Sequence, residues 1–527
     1  MDLDPVLIGV AFVMGFVASR LGLPPLAGFL VAGFVLHALG LQGGEALARV
    51  SDLGITLLLF TIGLKLDLAS LLRREVWATT LVHATASTIG IGALLLGLGA
   101  LGIPLVAELD PGTALLLGFA FCFSSTVFAV KVLEEKGETG ARHGVTAVGI
   151  LIVQDLMAVV FLVILGGKLP SAWAFALFAL PLLRAPLSFV MTRLGHGEVM
   201  LLFGFAMALL GYQLFEAVGL KGDLGALAFG VLLGAHPKGY ELAQSLMAFK
   251  ELFLVGFFLL IGLEGLPGDA GLVLALVLVT LIPVKGALFF GLLSGFGLRV
   301  RTAGFTALAL TNFSEFGLIV ASSAKVAGWL PDGWMAIIGV SVALSFLASA
   351  PANTASHGLH ERFRARLRRF ERSRPIDAPE PIPASDVIVL GMGRVGSGAY
   401  DELCSRFGSH VIGVDVDAAV VEAHREAGRR AIRGDATDPD FWLRCPGDVR
   451  VVLVAMSDHV ANLFAVREVR SGPARPFVVA AAQFPDQVRE LREAGADAVF
   501  DFYSEAGVGL ADHAADAVLG AGASRPE

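Results

Sequence analysis

From Pro5 to about residue 357 the chain is a succession of apolar stretches, most of them long enough to cross a bilayer, joined by short polar connections. Hydrocarbon offers no partner to a backbone N–H or C=O, so a lipid-exposed stretch of about 20 apolar residues must satisfy itself as a helix. About thirteen spans are predicted on this basis, over residues 5–20, 24–42, 51–66, 76–102, 111–132, 144–166, 172–192, 198–218, 222–236, 246–266, 270–296, 302–326 and 333–356. The total is twelve if one short segment does not cross. Beyond His360 the sequence becomes dense in Arg, Asp and Glu. Only 16% of all residues are charged, against about 25% in soluble domains. The expected organisation is a polytopic α-helical membrane domain over 1–357, a basic helix and Pro-rich linker over 358–385, and a water-soluble domain over 386–527.

Asp2 and Asp4 precede the first span, without a basic leader or a small-residue cleavage site, so the segment is expected to be retained as a span. Loops after odd-numbered spans carry Arg20, Lys65, Arg73, Arg74, Lys131, Lys136, Arg142, Arg193, Lys238, Arg299 and Arg301; those after even-numbered spans carry only Arg49, Lys168, Lys221 and Lys325. Basic residues favour the inner side, so a cell (inner) membrane, an outside N-terminus and a cytoplasmic C-terminal domain are expected. Cys122, Cys404 and Cys445 are widely spaced and odd in number, which predicts neither a disulfide framework nor a zinc site. The net charge of −8 argues against a nucleic-acid partner.

The two halves of the membrane domain answer each other. Gly22-Leu23, Gly28, Gly33 and Leu36 recur 197 residues later as Gly219-Leu220, Gly225, Gly230 and Leu233. Ile62-Gly63-Leu64-Lys65 is matched by Ile261-Gly262-Leu263-Glu264, and Phe123-Ser124 by Phe313-Ser314, in the same order. An odd number of spans separates the copies, so the second must run through the membrane the other way. Inverted repeats of this kind mark secondary transporters, whose substrate site lies near the midplane between interrupted helices. Thr61-Ile62-Gly63-Leu64 faintly resembles a potassium-channel filter but lacks its continuation; Gly63 reads better as a helix-packing residue.

An ionisable group in mid-span points to function, because burying its charge is costly. Gln154-Asp155 sits inside Gly149–Phe161, away from either end of its span. A carboxylate there can take a proton or a small cation, and competition between the two is the minimal chemistry of exchange; a hydrogen-bonded helix contact is the plain alternative. Lys285, beside a helix-disturbing Pro283, is the mid-span cation and a pairing partner for Asp155, unless it snorkels to an interface. Ser124-Ser125-Thr126 and the matching Asn312, Ser314 and Glu315 suit unwound, crossing helices whose oxygens ligate a monovalent cation, although hydroxyls can also bond back to their own helix. Glu315 is open to three roles: ion ligand, proton carrier or partner of Lys285. His37 and His83 read as packing residues. No other metal is expected.

The stretches Phe123–Gly137, Gln154-Asp155 and Ser314–Gly317 resemble the Kef-type family of glutathione-regulated and related monovalent cation:proton antiporters. The resemblance implies a thirteen-helix fold with a core and a dimerisation domain, a homodimer, and elevator-type alternating access. It further implies that Asp155 is the exchange carboxylate, that Gln154 replaces a second Asp of electrogenic relatives, and that exchange is electroneutral. Potassium is the favoured ion over sodium, exchanged for H+ across the lipid bilayer.

Residues 375–385 are rich in Pro and Ala, a linker composition. Then Asp386–Leu390 runs as a strand into Gly391-x-Gly393-Arg394-Val395-Gly396, and the next strand ends at Asp415, 19 positions after the last glycine. This is the pattern of a Rossmann dinucleotide site, with Asp415 placed for a ribose hydroxyl. Gly434-Asp435-Ala436-Thr437 resembles the corresponding stretch of RCK (TrkA-N) domains, which implies NAD(H) or an AMP-like adenine nucleotide as a regulatory ligand, with Asp435 and Ala436 near the adenosine and Arg394 near phosphate or glutathione. The chain ends soon after Ala517, without a second lobe, which weakens the case for glutathione regulation. An RCK-gated channel and a membrane-tethered dehydrogenase are the competing readings. The first lacks a filter sequence and the second a catalytic constellation, so the chain reads as a transporter and not an enzyme.

Overall fold

The computed structural model describes the chain except for residues 1–4, 22–24, 66–72, 166–170, 196, 221, 264, 373–374, 379, 443, 446–447, 473–474 and 523–527. Asp2, Asp4, Gly22, Leu23, Lys168, Lys221 and Glu264, used above, lie outside the described residues. Two compact units emerge: residues 1–131 with 146–372, and residues 132–145 with 373–527.

The membrane unit contains α1 (Pro5–Arg20), α2 (Pro25–Ala38), α3 (Glu45–Lys65), α4 (Arg74–Ala100), α5 (Pro111–Cys122) and most of α6 (Thr126–Glu135) and α7 (Arg142–Leu165), whose residues 132–135 and 142–145 fall in the second unit. A 3-10 run over Ala172–Leu183 leads into α8 (Arg184–Arg193), followed by α9 (Glu198–Ala217), α10 (Gly222–Gly234) and α11 (Gly239–Leu263). Then come α12 (Asp269–Val279), α13 (Ile282–Gly295), α14 (Val300–Ala309), α15 (Glu315–Val326), α16 (Trp334–Thr354) and the basic α17 (Ser356–Leu367). Every predicted span falls on one or two of these elements. Among the described residues, eight stretches are long and apolar enough to cross a membrane unaided, and Pro5–Arg20, Gly28–Ala38 and Gly225–Gly234 are shorter apolar helices.

The departures have local causes. α3 begins before its apolar part, where Glu45 and Arg49 form an exposed i,i+4 pair at 2.7 Å. The span over 172–192 is largely 3-10, with Pro181 inside it removing a backbone donor. Pro283 sits in the first turn of α13, so the span over 270–296 is broken between Val279 and Ile282.

The internal repeat is written into the packing. α2 meets α11 where a Cβ on Gly33 would lie 2.6 Å from the Cα of Gly262; α3 meets α10 where one on Gly63 would lie 2.9 Å from the Cα of Gly230. The repeat pairs Gly33 with Gly230 and Gly63 with Gly262, so these are one contact made twice, once by each half. Gly28 against Met14 of α1 and Gly225 against Gly211 of α9 extend the same correspondence. Gly63 is thus a packing residue, and only a missing side chain allows the backbones so close.

In the second unit, β1 (Val387–Leu390), β2 (Val411–Asp415), β3 (Ala431–Arg433), β4 (Val451–Val454), β5 (Phe477–Ala482) and β6 (Ala498–Asp501) form a parallel sheet in the order β3-β2-β1-β4-β5-β6. The connecting helices are α18 (Arg394–Phe407), α19 (Ala418–Glu426), α20 (His459–Ser471) and α21 (Pro485–Glu493), with α22 (Phe502–Gly522) last. Fully buried strands read as continuous apolar runs such as Val387-Ile388-Val389-Leu390, whose alternate residues feed cores on opposite faces of the sheet. The order reverses at β1 and β4, and the crevice at their carboxyl ends is the ligand position of a doubly wound sheet.

Candidate ion-exchange site

Two of the interrupted helices meet here. α5 stops at Cys122 and α6 restarts at Thr126; α14 stops at Ala309 and α15 restarts at Glu315. Each break frees backbone groups that lipid cannot satisfy, and polar side chains take them up. The Gln154 amide spans the first break, its Oε1 accepting from Ser124 N at 2.9 Å and its Nε2 donating to Cys122 O at 3.3 Å. Asn312 ties the two breaks together, accepting from Ser125 N at 2.6 Å while donating to Ala309 O at 2.9 Å. Ser124 Oγ donates across to Leu310 O at 2.7 Å. Ser125 and Ser314 cap the restarting helices, accepting from Phe128 N and Phe316 N. Gln154, Asp155, Ser124, Ser125, Asn312, Ser314 and Glu315 are all buried.

The charges follow the helix poles. Where α5 and α14 end, carbonyls concentrate negative potential, and there the Lys285 ammonium donates to Asn312 O at 2.7 Å, Phe123 O at 2.5 Å and Phe121 O at 3.4 Å. Where α6 and α15 begin, the potential is positive, and the carboxylates gather. Thr126 Oγ1 donates to Asp155 Oδ2 at 3.4 Å, Glu315 occupies the first turn of α15, and the two carboxylates are close enough to interact electrostatically. The expected pairing of Lys285 with Asp155 is therefore corrected. Three carbonyls, stripped of helical partners, hold the ammonium instead. Glu315 accepts weakly from Ser314 at 3.4 Å through Oε2, while its Oε1 is enclosed without a partner.

The second unit shows the glycine loop after β1. Gly391 has φ +86°, a Cβ on it would meet Met456, and one on Gly396 would lie 1.7 Å from Gly391 O, so the first turn of α18 packs directly on the loop. Arg394 and Val395 stand exposed on that turn. Asp415 accepts from Met392 N at 2.8 Å and Asp417 N at 2.9 Å, which binds the end of β2 to the glycine loop and leaves lone pairs for a ribose. Asp435 accepts from Thr437 N and Oγ1, and the carbonyl of buried Ala436 accepts from Trp442 Nε1 at 2.8 Å.

The transmembrane sodium/hydrogen exchanger family model matches residues 8–353. The chain belongs to this family. A TrkA-N domain model matches residues 387–501. Among curated relatives, the glutathione-regulated potassium-efflux system protein KefC of Salmonella typhimurium is 29% identical over 528 residues, covering 93% of this chain and 80% of that protein. The Klebsiella pneumoniae protein of the same name is 28% identical, covering 93% and 81%. Among solved structures, the sodium proton antiporter of Methanocaldococcus jannaschii is 15% identical, covers 66% of this chain and 94% of that one, and has a TM-score of 0.45. This exchanger is a multi-pass cation:proton antiporter with a C-terminal TrkA-N domain, and its relatives are transporters rather than enzymes.

One set of site residues in the antiporter escaped the sequence reading. Ser345 Oγ accepts from Phe313 N at 3.0 Å, Ser349 Oγ donates to Thr311 O, and Asn353 Nδ2 donates to Leu308 O at 2.9 Å, so α16 braces the second break. Polar residues every fourth position in an otherwise apolar span were the available signal.

Proposed function

We propose that this antiporter exchanges one potassium ion, in preference to sodium, for one proton by alternating access, with Asp155 as the group for which the two compete. The observation that carries the reading is Asp155 itself, buried beside Thr126, where a broken helix resumes. Protonated, the carboxyl is neutral and needs no cation; ionised, it requires one, and only one of the two states can cross with each ligand. Gln154 in place of a second acid leaves a single exchange carboxylate, which supports electroneutral stoichiometry. Lys285 is held by carbonyls and not by Asp155. The potassium assignment draws on the names of the curated relatives. The TrkA-N domain is the regulatory gate, taking NAD(H) or an AMP-like adenine nucleotide across Gly391–Gly396, Asp415 and Asp435. The N-terminus lies outside and this domain in the cytoplasm, in accordance with the basic loops.

Purified protein in proteoliposomes with a pH-sensitive dye inside tests the reading. An imposed potassium gradient should drive proton counter-movement without net current, and Asp155→Asn should abolish it. Full exchange by that variant would remove Asp155 from the mechanism, and a current reversing at the potassium Nernst potential would replace antiport with a channel.

A further inference from the structure

A row of polar side chains on α4 takes no part in the junction described above. Thr79, Thr80 and His83 are fully buried and Ser87 half-buried, at helical spacing on the inward face of a helix whose Trp77, Leu81, Val82 and Ile89 are exposed. Thr80 bonds back to Val76 O at 2.8 Å. Thr79 Oγ1 and His83 Nδ1 are enclosed without a hydrogen-bond partner, while His83 Nε2 meets Ser87 Oγ of the same helix at 3.4 Å and the Lys285 backbone lies beside the imidazole. The imidazole stacks on Phe289 of α13, ring centroids 3.5 Å apart and 9° between planes. Phe289 lies one turn along α13 from Lys285.

Unpaired polar atoms in a dry interior are costly, and a residue needed only to stack on Phe289 would be apolar. The two orphan atoms belong to residues four apart on one helix face, about 5–6 Å between Cβ atoms, and a water between them would give each a partner. We propose that Thr79 and His83 hold such a water and form a proton relay along α4, running between the level of Lys285 and the Arg74 end of the helix, separate from the cation's contact with Asp155. In each transfer one imidazole nitrogen gains a proton from its hydrogen-bonded neighbour as the other gives one up, to Ser87 on one side or the bridging water on the other. No other bond changes. The titratable groups on elements packed around α4 are Lys285 on α13, Cys122 on α5 and Asp155 on α7, with Arg74 and Glu75 on α4 itself.

The proposal rests on the antiport reading, and the two fail differently. Exchange rates are measured against pH at saturating potassium for the wild type, His83→Gln, which keeps hydrogen bonding without titrating, His83→Phe, which keeps the stack, and Thr79→Val. Positioned proton transfer contributes roughly 10²–10⁴-fold, so both His83 variants should lose at least about tenfold in maximal rate across the pH range, with half-saturating potassium unchanged. Thr79→Val should lose a few-fold. Wild-type rate and pH profile in His83→Gln would overturn the relay alone, while a wild type that moves no protons against potassium would overturn the antiport reading and the relay with it. Should a His83 variant lose the potassium-induced rise in Tm that reports folding, Thr79→Val decides, and wild-type behaviour in it overturns the relay.

Discussion

Position 154 needs an amide because it must accept and donate at once. Its two bonds, to Ser124 N and Cys122 O, sit on opposite sides of the α5–α6 break. An ionised acid can only accept, so Gln154→Glu would leave Cys122 O unpaired, at a cost of about 1–3 kcal/mol, and would set a second negative charge beside Asp155. The expected outcome is at least a tenfold fall in exchange rate and a lower Tm in detergent, and a variant matching the wild type in both would show that the amide is not bridging the break. Asp155 and Lys285 were both legible as mid-span charges, since nothing else explains an ionisable residue in an apolar run. What Lys285 does was not legible, because its partners are backbone carbonyls, and every residue has one. Only the breaks single out Phe121, Phe123 and Asn312. His83, read from the sequence as packing, stacks on Phe289 in accordance with that reading, and the lack of a partner at its Nδ1 is visible only once the helices are packed.

Among the elements, the crossings of α2 with α11 and α3 with α10 depend on bare backbone. A Cβ on Gly63 would stand 2.4 Å from Leu227 O, one on Gly33 2.6 Å from Leu259 O, whereas Gly9 of α1 has open space around it. Gly63→Val and Gly33→Val should each cost about 1–3 kcal/mol or more through forced separation of the helices, seen as loss of monodisperse protein and a fall in Tm, with Gly9→Val as the harmless control. Equal behaviour of all three would show that these crossings do not hold the repeat together. The repeat itself was readable as paired glycines; that each glycine of one copy touches the partner position of the other was not. Element ends drifted where polar residues extend a helix, as Glu45 and Arg49 do, or where Pro181 and Pro283 break one.

For the whole molecule, the abrupt change from apolar to charged sequence corresponds to two units of different chemistry, and their separability can be tested. A chain ending at Arg372 keeps every residue of the ion site, so it should exchange potassium for protons and remain sensitive to Asp155→Asn, while losing any response of the full chain to added NAD(H) or AMP. Nucleotide response persisting in the shortened chain would remove the TrkA-N domain as the gate. The sequence alone determined the class of the protein: apolar runs in lipid have to be helices, a glycine-rich turn between strand and helix has to be a Rossmann loop, and a carboxylate in mid-membrane has to have work. Tertiary structure decided the arrangement of the charges. Which carbonyls a break exposes, which of them Lys285 takes, how α16 braces Phe313, and which polar atoms near His83 are left unpaired depend on residues tens to hundreds of positions apart, and no local pattern records those distances.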